Sequence, residues 1–174
     1  MRKKAKKKVR KVEKNIETEQ NKAETKTDEE RDVHYWLLKT EPGEWSWEDQ
    51  AANGGISQWD GVKNKQAQNY MKSMKLGDLC FFYHSGSKSR CIVGVVSVSK
   101  EWYTDKEDGA IDVRAMGEMR QMVDLKEMKG EDELQGFTLF KQPRLSVVPV
   151  SKKIWDRICE LGGGYGLEDE CKDD

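Results

Sequence analysis

Histidine and cysteine are scarce in this chain: two histidines and four cysteines are spread over 174 residues. Cys80, Cys91, Cys159 and Cys171 form no CxxC pair. No Cys/His cluster has metal-ligand spacing, which argues against a bound metal and for reduced thiols inside a cell. Long apolar runs are also missing. Nothing approaches the roughly 18 residues that span a bilayer, and the polar N-terminus lacks the apolar segment of a secretory signal. A surplus of one charge is missing too: 31 basic residues stand against 32 acidic ones, for a net charge of -1. A balanced body does not hold duplex nucleic acid by bulk electrostatics, because neutralising phosphates takes clustered cations. Any polymer binding must rely on a tail or a local groove.

The balance hides a gradient. Residues 1–32 hold twelve basic and eight acidic residues, with a basic block over Arg2–Lys11 and almost no large apolar side chain. Such a segment cannot bury enough surface to offset chain entropy, so it reads as a disordered arm. The block fits a nuclear-import signal or a loose phosphate contact. Residues 33–161 read as one ordered domain, and 162–174 as a Gly-rich and acidic tail.

Inside the domain, His34-Tyr35-Trp36-Leu37-Leu38-Lys39 is a short apolar stretch stopped by Pro42-Gly43, which predicts a buried strand. Ser46 and Asp49 have the spacing of a capping-box variant for a short helix ended at Asn53-Gly54-Gly55. Val62, Ala67, Tyr70, Met71 and Met74 share a helical face. Strands are expected at Leu79–Tyr83, Arg90–Ser99 continuing through Trp102 and Tyr103, Ile111–Met119, and Leu145–Val150. Gly94 inside the second suggests a bulge or a close backbone approach, and Pro149 implies an edge. Asp124 caps one short helix and Ser151 a last one carrying Ile154, Trp155, Ile158 and Leu161. Strands 79–119 follow one another without helical crossovers, which disfavours a doubly wound sheet. The expectation is α+β: a small, curved, mixed sheet or open barrel with several covering helices.

Trp59-Asp60-Gly61-Val62-Lys63-Asn64 is the most distinctive stretch. An indole before an Asp-Gly turn and a carboxamide after it suit the reading of a planar heterocycle. Asn64 serves equally well as a helix cap. Phe81-Phe82-Tyr83-His84-Ser85 pairs a base with a hydroxyl, but neighbours on a strand point to opposite faces and no orienting acid accompanies them. Catalysis is therefore not expected, and His84 and Ser85 read as polar contacts or a strand-end turn.

Four motifs in order, Trp36–Pro42, Trp59–Asn64 with Gln66-Ala67 and Asn69, Gly77-Asp78 with Phe81–Ser85, and Arg144–Val147 with Pro149, resemble those of EVE domains. That resemblance implies a PUA-like fold, related to YTH and ASCH domains, with a pocket for a modified base. Carried onto matching positions, the implied lining is Lys39, Glu41, Trp59, Asn64, Tyr83, His84, Ser85, Arg144, Leu145 and Ser146. Three departures from the family pattern stand out: Lys63 in place of the commoner Arg, Lys65 and Gln68 in place of an aromatic and an Arg, and a short segment between Trp102 and Ile111.

The expectation is thus a non-enzymatic nuclear reader of modified bases in DNA or RNA, with no cofactor and no membrane partner, and with oligomeric state left open. Two alternatives stand beside it. One is a hydrolase or transferase acting on a small nucleobase-like molecule, and the other is a protein-interaction module.

Overall fold

The computed structural model describes residues 32–52 and 54–166. The basic arm up to residue 31, the helix stop at Asn53, and the acidic end with Cys171 lie outside the described residues. The elements run β1 Tyr35–Thr40, α1 Trp47–Ala52, β2 Ile56–Trp59, α2 Lys65–Ser73, β3 Leu79–Ser85, β4 Arg90–Asp105, β5 Asp108–Asp124, α3 Leu125–Lys129, a 3-10 turn Asp132–Leu134, α4 Thr138–Lys141, β6 Val147–Val150 and α5 Lys152–Leu161.

The six strands form one mixed sheet in the order β2-β5-β4-β3-β1-β6. It is not closed, and the expected α+β, PUA-like architecture is the one found. Only β1 and β3 run parallel; the other neighbours are antiparallel. Pro149 lies on the edge strand β6, opposite Trp36, where a missing N–H leaves no ladder bond unmade.

The core sits on both faces of β3. Phe81 stacks on Trp155 of α5 at 3.8 Å, and Tyr35 closes on the same indole at 4.7 Å. On the opposite face, Phe82 meets Trp47 and Trp59 edge-on at 5.3 and 5.8 Å. Leu37, Leu38, Phe81 and Phe82 are fully buried, which explains why β1 and β3 read as continuous apolar runs rather than alternating ones.

Helix starts follow local chemistry. The Ser46 N–H donates to Asp49 at 3.0 Å, and the Asp49 N–H donates back to Ser46 Oγ at 3.1 Å, a reciprocal cap. Ser151 accepts from the Ile154 N–H at 3.3 Å and Asp124 from that of Lys126 at 3.3 Å. Gly94 meets both expectations set for it. The β3–β4 and β4–β5 registers are irregular nearby, and a Cβ on Gly94 would lie 2.6 Å from the Trp47 ring.

Four elements differ from expectation: the 3-10 turn Asp132–Leu134 and α4 are not among the expected elements, and two strands depart from theirs. Ile56–Trp59 is a strand, on the sheet edge beside β5. The third expected strand is also longer, because bulges at four points carry the β4–β5 hairpin from Asp105–Asp108 to Cys91–Asp124. Beyond Met119 only Val123 is buried, and Arg120, Gln121, Met122 and Asp124 are exposed, so an apolar signal fades there although the ladder continues.

A buried carboxylate joins β1 to β3. Asp78, 2% exposed, accepts from the His34 N–H at 3.1 Å, the Trp36 Nε1–H at 3.1 Å and the Lys75 N–H at 3.0 Å. Three donors replace the water it loses, which is what makes its burial tolerable.

Candidate functional site

Parallel pairing aligns the ends of β1 and β3. Lys39 lies beside Tyr83, and Thr40 beside His84. The Lys39 N–H donates to the Ser146 carbonyl at 3.0 Å, drawing the segment before β6 against the same end. The β3–β4 hairpin adds Arg90 opposite Ser85. Around these strand ends, the loop after β2, helix α3 and helix α4 leave a cleft of about 1190 Å³. That exceeds the ~300–1,000 Å³ usual for small-ligand sites, so it has room for a base together with part of its backbone.

Of the ten residues the sequence points to, seven line this cleft: Lys39, Glu41, Trp59, Tyr83, Ser85, Arg144 and Ser146. Trp59 lines the cleft but is only 8% exposed: it belongs to the hydrophobic core, its ring edge-on to Phe82. The other three are placed elsewhere. Asn64 caps α2, its side-chain oxygen accepting from the Ala67 N–H at 2.9 Å. Leu145 is buried in the core. His84 points away from Tyr83 and Ser85, as strand alternation dictates. Its Nε2 accepts from the Trp47 N–H at 3.2 Å. Burial, partly opposed by Glu48, holds its pKa below the usual histidine value. Both effects favour a neutral ring whose Nε2 lone pair is already occupied.

Lys39 is the most perturbed cation of the cleft. Burial, helped by the nearby Arg90 charge, lowers its pKa to about 8. Its Nζ donates to the Pro143 carbonyl at 2.7 Å and lies 6.0 Å from the Tyr83 ring centre. Burial pushes the Tyr83 phenol up to about 12, so it stays protonated at neutral pH. Among the described residues no ion pair joins Lys39, Arg90, Lys129 or Arg144 to a carboxylate, although all four line the cleft. Lys63 differs: its Nζ is 2.6 Å from Asp108 at the hairpin tip. Gln68 also reaches the Val62 carbonyl at 2.7 Å and Asp108 at 3.4 Å. Two of the departures from the family pattern thus tie the Trp59–Asn64 loop to the short β4–β5 tip.

Sequence reasoning missed a polar wall. Gln50, fully buried on α1, has its side-chain amide between three partners. Its Oε1 accepts from the Trp45 indole N–H at 2.9 Å and from the Ser57 hydroxyl at 2.5 Å, and its Nε2 donates to the Gly55 carbonyl at 2.9 Å. Trp45 and Ser57 both line the cleft, as do Thr40, Arg90 and Lys129. No periodic signal marks these positions. Thr40, Trp45, Gln50 and Ser57 converge because β1, α1 with the turn before it, and β2 meet at one corner, while Arg90 and Lys129 come from β4 and α3.

A small, open, mixed sheet with one aromatic cleft, lined by five cations and by Glu41, Glu44 and Asp60, at the aligned ends of its parallel strands defines a PUA-like binding domain. Within that class the chain belongs to the EVE domain family, whose model matches residues 34–161. The thymocyte nuclear protein 1 of Rattus norvegicus is 34% identical over 165 residues, covering 74% of this chain and 73% of that protein. The Homo sapiens protein of that name is 31% identical over 164 residues, covering 73% of each. Among solved structures, a protein from Agrobacterium tumefaciens superposes with a TM-score of 0.72 at 40% identity, over 76% of this chain and 94% of that one. Human THYN1 protein in complex with 5-methylcytosine-containing DNA superposes with a TM-score of 0.70 at 29% identity, over 79% of this chain and all of that one.

Proposed function

We propose that this domain reads modified bases in nucleic acid, holding one unstacked base in the cleft beside Trp59. The observation that carries this is one cleft lined by two indoles, a phenol and four cations that have no ion-pair partner among the described residues. Aromatic faces and fixed positive charge are what an extruded nucleotide requires: stacking for the ring and cations for its phosphates. The related human protein in complex with 5-methylcytosine-containing DNA supports the same reading.

In this reading Trp59 and Trp45 wall the base. Lys39, Arg90, Lys129 and Arg144 face the flanking phosphates. Ser85 and Ser146 supply hydroxyls, and Glu41 supplies an acceptor at the rim. Asn64, His84 and Leu145 act one step back, fixing α2, α1 and the Arg144–Ser146 segment around the opening. No turnover is involved, because His84 is on the far face from Ser85 and its Nε2 already accepts from Trp47. The basic block at Arg2–Lys11, outside the described residues, directs the protein to the nucleus.

The test is equilibrium binding to DNA and RNA panels that differ at one position, modified or unmodified. Affinity should rise at least about tenfold, or 1.4 kcal/mol, for some modified base. Equal affinity across every modified and unmodified pair contradicts the reading. A green-fluorescent fusion of residues 1–32 that remains cytoplasmic contradicts the nuclear assignment.

A further inference from the structure

The wall formed by Thr40, Trp45 and Ser57 is a set of side chains with no hydrogen left to give. The Gln50 amide fixes this. One of its two Nε2 hydrogens points to the Gly55 carbonyl, so its Oε1 must face the other way and can only accept. The Trp45 indole has one hydrogen, and it goes to that oxygen at 2.9 Å. The Ser57 hydroxyl has one hydrogen, and it goes to the same oxygen at 2.5 Å. The Thr40 hydroxyl gives its hydrogen to the Trp45 carbonyl at 3.1 Å. Reversing the amide would set oxygen against the Gly55 carbonyl and N–H against the indole N–H, so the arrangement has one stable sense. Gln50 is fully buried and its bond to Gly55 is buried, which fixes the sense of the amide for the part-buried bonds from Trp45 and Ser57.

What this corner offers a ligand is therefore the lone pairs of Ser57 and Thr40 beside an indole that is apolar to the cleft. We infer that the Gln50-locked hydroxyl of Ser57 selects bases whose edge carries an exocyclic amine, the cytosine and adenine type, against bases that carry a carbonyl there. An amine N–H completes the Ser57 oxygen. A carbonyl oxygen meets it lone pair to lone pair, and a site built to pair one polar group rejects the analogue that lacks it far more sharply than an apolar wall does. Gln50 is a positioning residue here: without it, the Ser57 hydroxyl turns freely and donates as readily as it accepts.

This inference rests on the base-reading proposal above, and its test separates the two. The full chain is titrated with one short single-stranded DNA carrying, at a single position, 5-methylcytosine, thymine, N4-methyl-5-methylcytosine, N4,N4-dimethyl-5-methylcytosine or an abasic sugar. Thymine keeps the methyl group and replaces the amine with a carbonyl. The monomethyl amine keeps one hydrogen, and the dimethyl amine keeps none. Binding should be tight for 5-methylcytosine and the monomethyl amine, and weaker by about tenfold or more for thymine and the dimethyl amine. Ser57→Ala should reduce that ratio to within about twofold, while Ser57→Thr, which retains a hydroxyl, should preserve it. Both variants are checked for an unchanged thermal midpoint. If thymine or the dimethyl amine binds as tightly as 5-methylcytosine while the abasic strand binds weakly, the base reading stands and this inference falls. A ratio unchanged in folded Ser57→Ala also overturns it. If the abasic strand binds as well as every other, both readings fail.

Discussion

Lys39 gives the cleft its pH dependence. Free, it loses its proton near pH 8 rather than near 10.5, because burial and Arg90 disfavour the charge. A phosphate placed beside it favours the charged form again, so binding near pH 8 takes up a proton. Affinity for an oligonucleotide should be highest below that pH and fall as pH rises through about 8. Calorimetry in two buffers of different ionisation heat reads the uptake, and its absence removes Lys39 from the phosphate contact. The same shift acts on folding with the opposite sense. Between about pH 8 and 10.5 the unfolded chain keeps a proton that the folded one releases, so this group adds stability as pH climbs through that window. Lys39→Met should flatten that rise. Asp78 is the residue on which fold integrity turns. Asp78→Ala leaves three donors, one of them a buried indole N–H, without an acceptor. The cost should be about 3 kcal/mol in chemical denaturation.

At the scale of elements, the close approach of α1 to β4 holds the Trp45–Gln50 corner in place. Gly94→Ala puts a Cβ at 2.6 Å from the Trp47 ring. The overpacking should cost about 1–3 kcal/mol and weaken binding, since Trp47 belongs to the helix that carries Gln50. A variant that keeps wild-type stability would show that α1 is free to shift. The hairpin tip makes a converse case. Lys106 takes φ 56°, the left-handed region, as a non-glycine, so Lys106→Gly should raise stability by up to about 1 kcal/mol. Elements of this kind explain what was readable from the residues. Strands β1 and β3, the capping pairs at Ser46 and Asp124, the Gly94 approach and the edge Pro149 all carry local signatures in residue type. Strand β2 does not: burial alternates along it, but Ile56 is on the exposed set and Ser57 on the inward one, so residue type shows neither an apolar run nor an apolar alternation. His84 was readable only once the strand was known to run through Ser85, because a turn there would have aimed it differently. The Gln50 corner depends on three segments meeting, which no single stretch records.

For the whole molecule, the near-zero net charge matters more than any single contact. With 31 basic and 32 acidic residues, the protein is not drawn to nucleic acid as a polycation, and in the proposed reading the electrostatic part of binding falls to the cleft cations that lack an ion pair among the described residues. Four such cations imply a slope of log K against log salt of about -3 for a single strand, at about -0.7 per phosphate. Arg144→Ala should reduce it by about 0.7. A much steeper slope in the full chain that falls to this value when residues 1–31 are removed would assign the excess to the basic arm.

The most direct measurement is a paired titration of the full chain with two strands, one carrying a modified base preferred in the panel and the other an abasic sugar at that position. If a base occupies the Trp59 cleft, removing it should cost about 1–3 kcal/mol of stacking and more in edge contacts, a loss of at least about tenfold in affinity. Equal affinity for the two strands would mean that only the backbone is held and that the cleft stays empty.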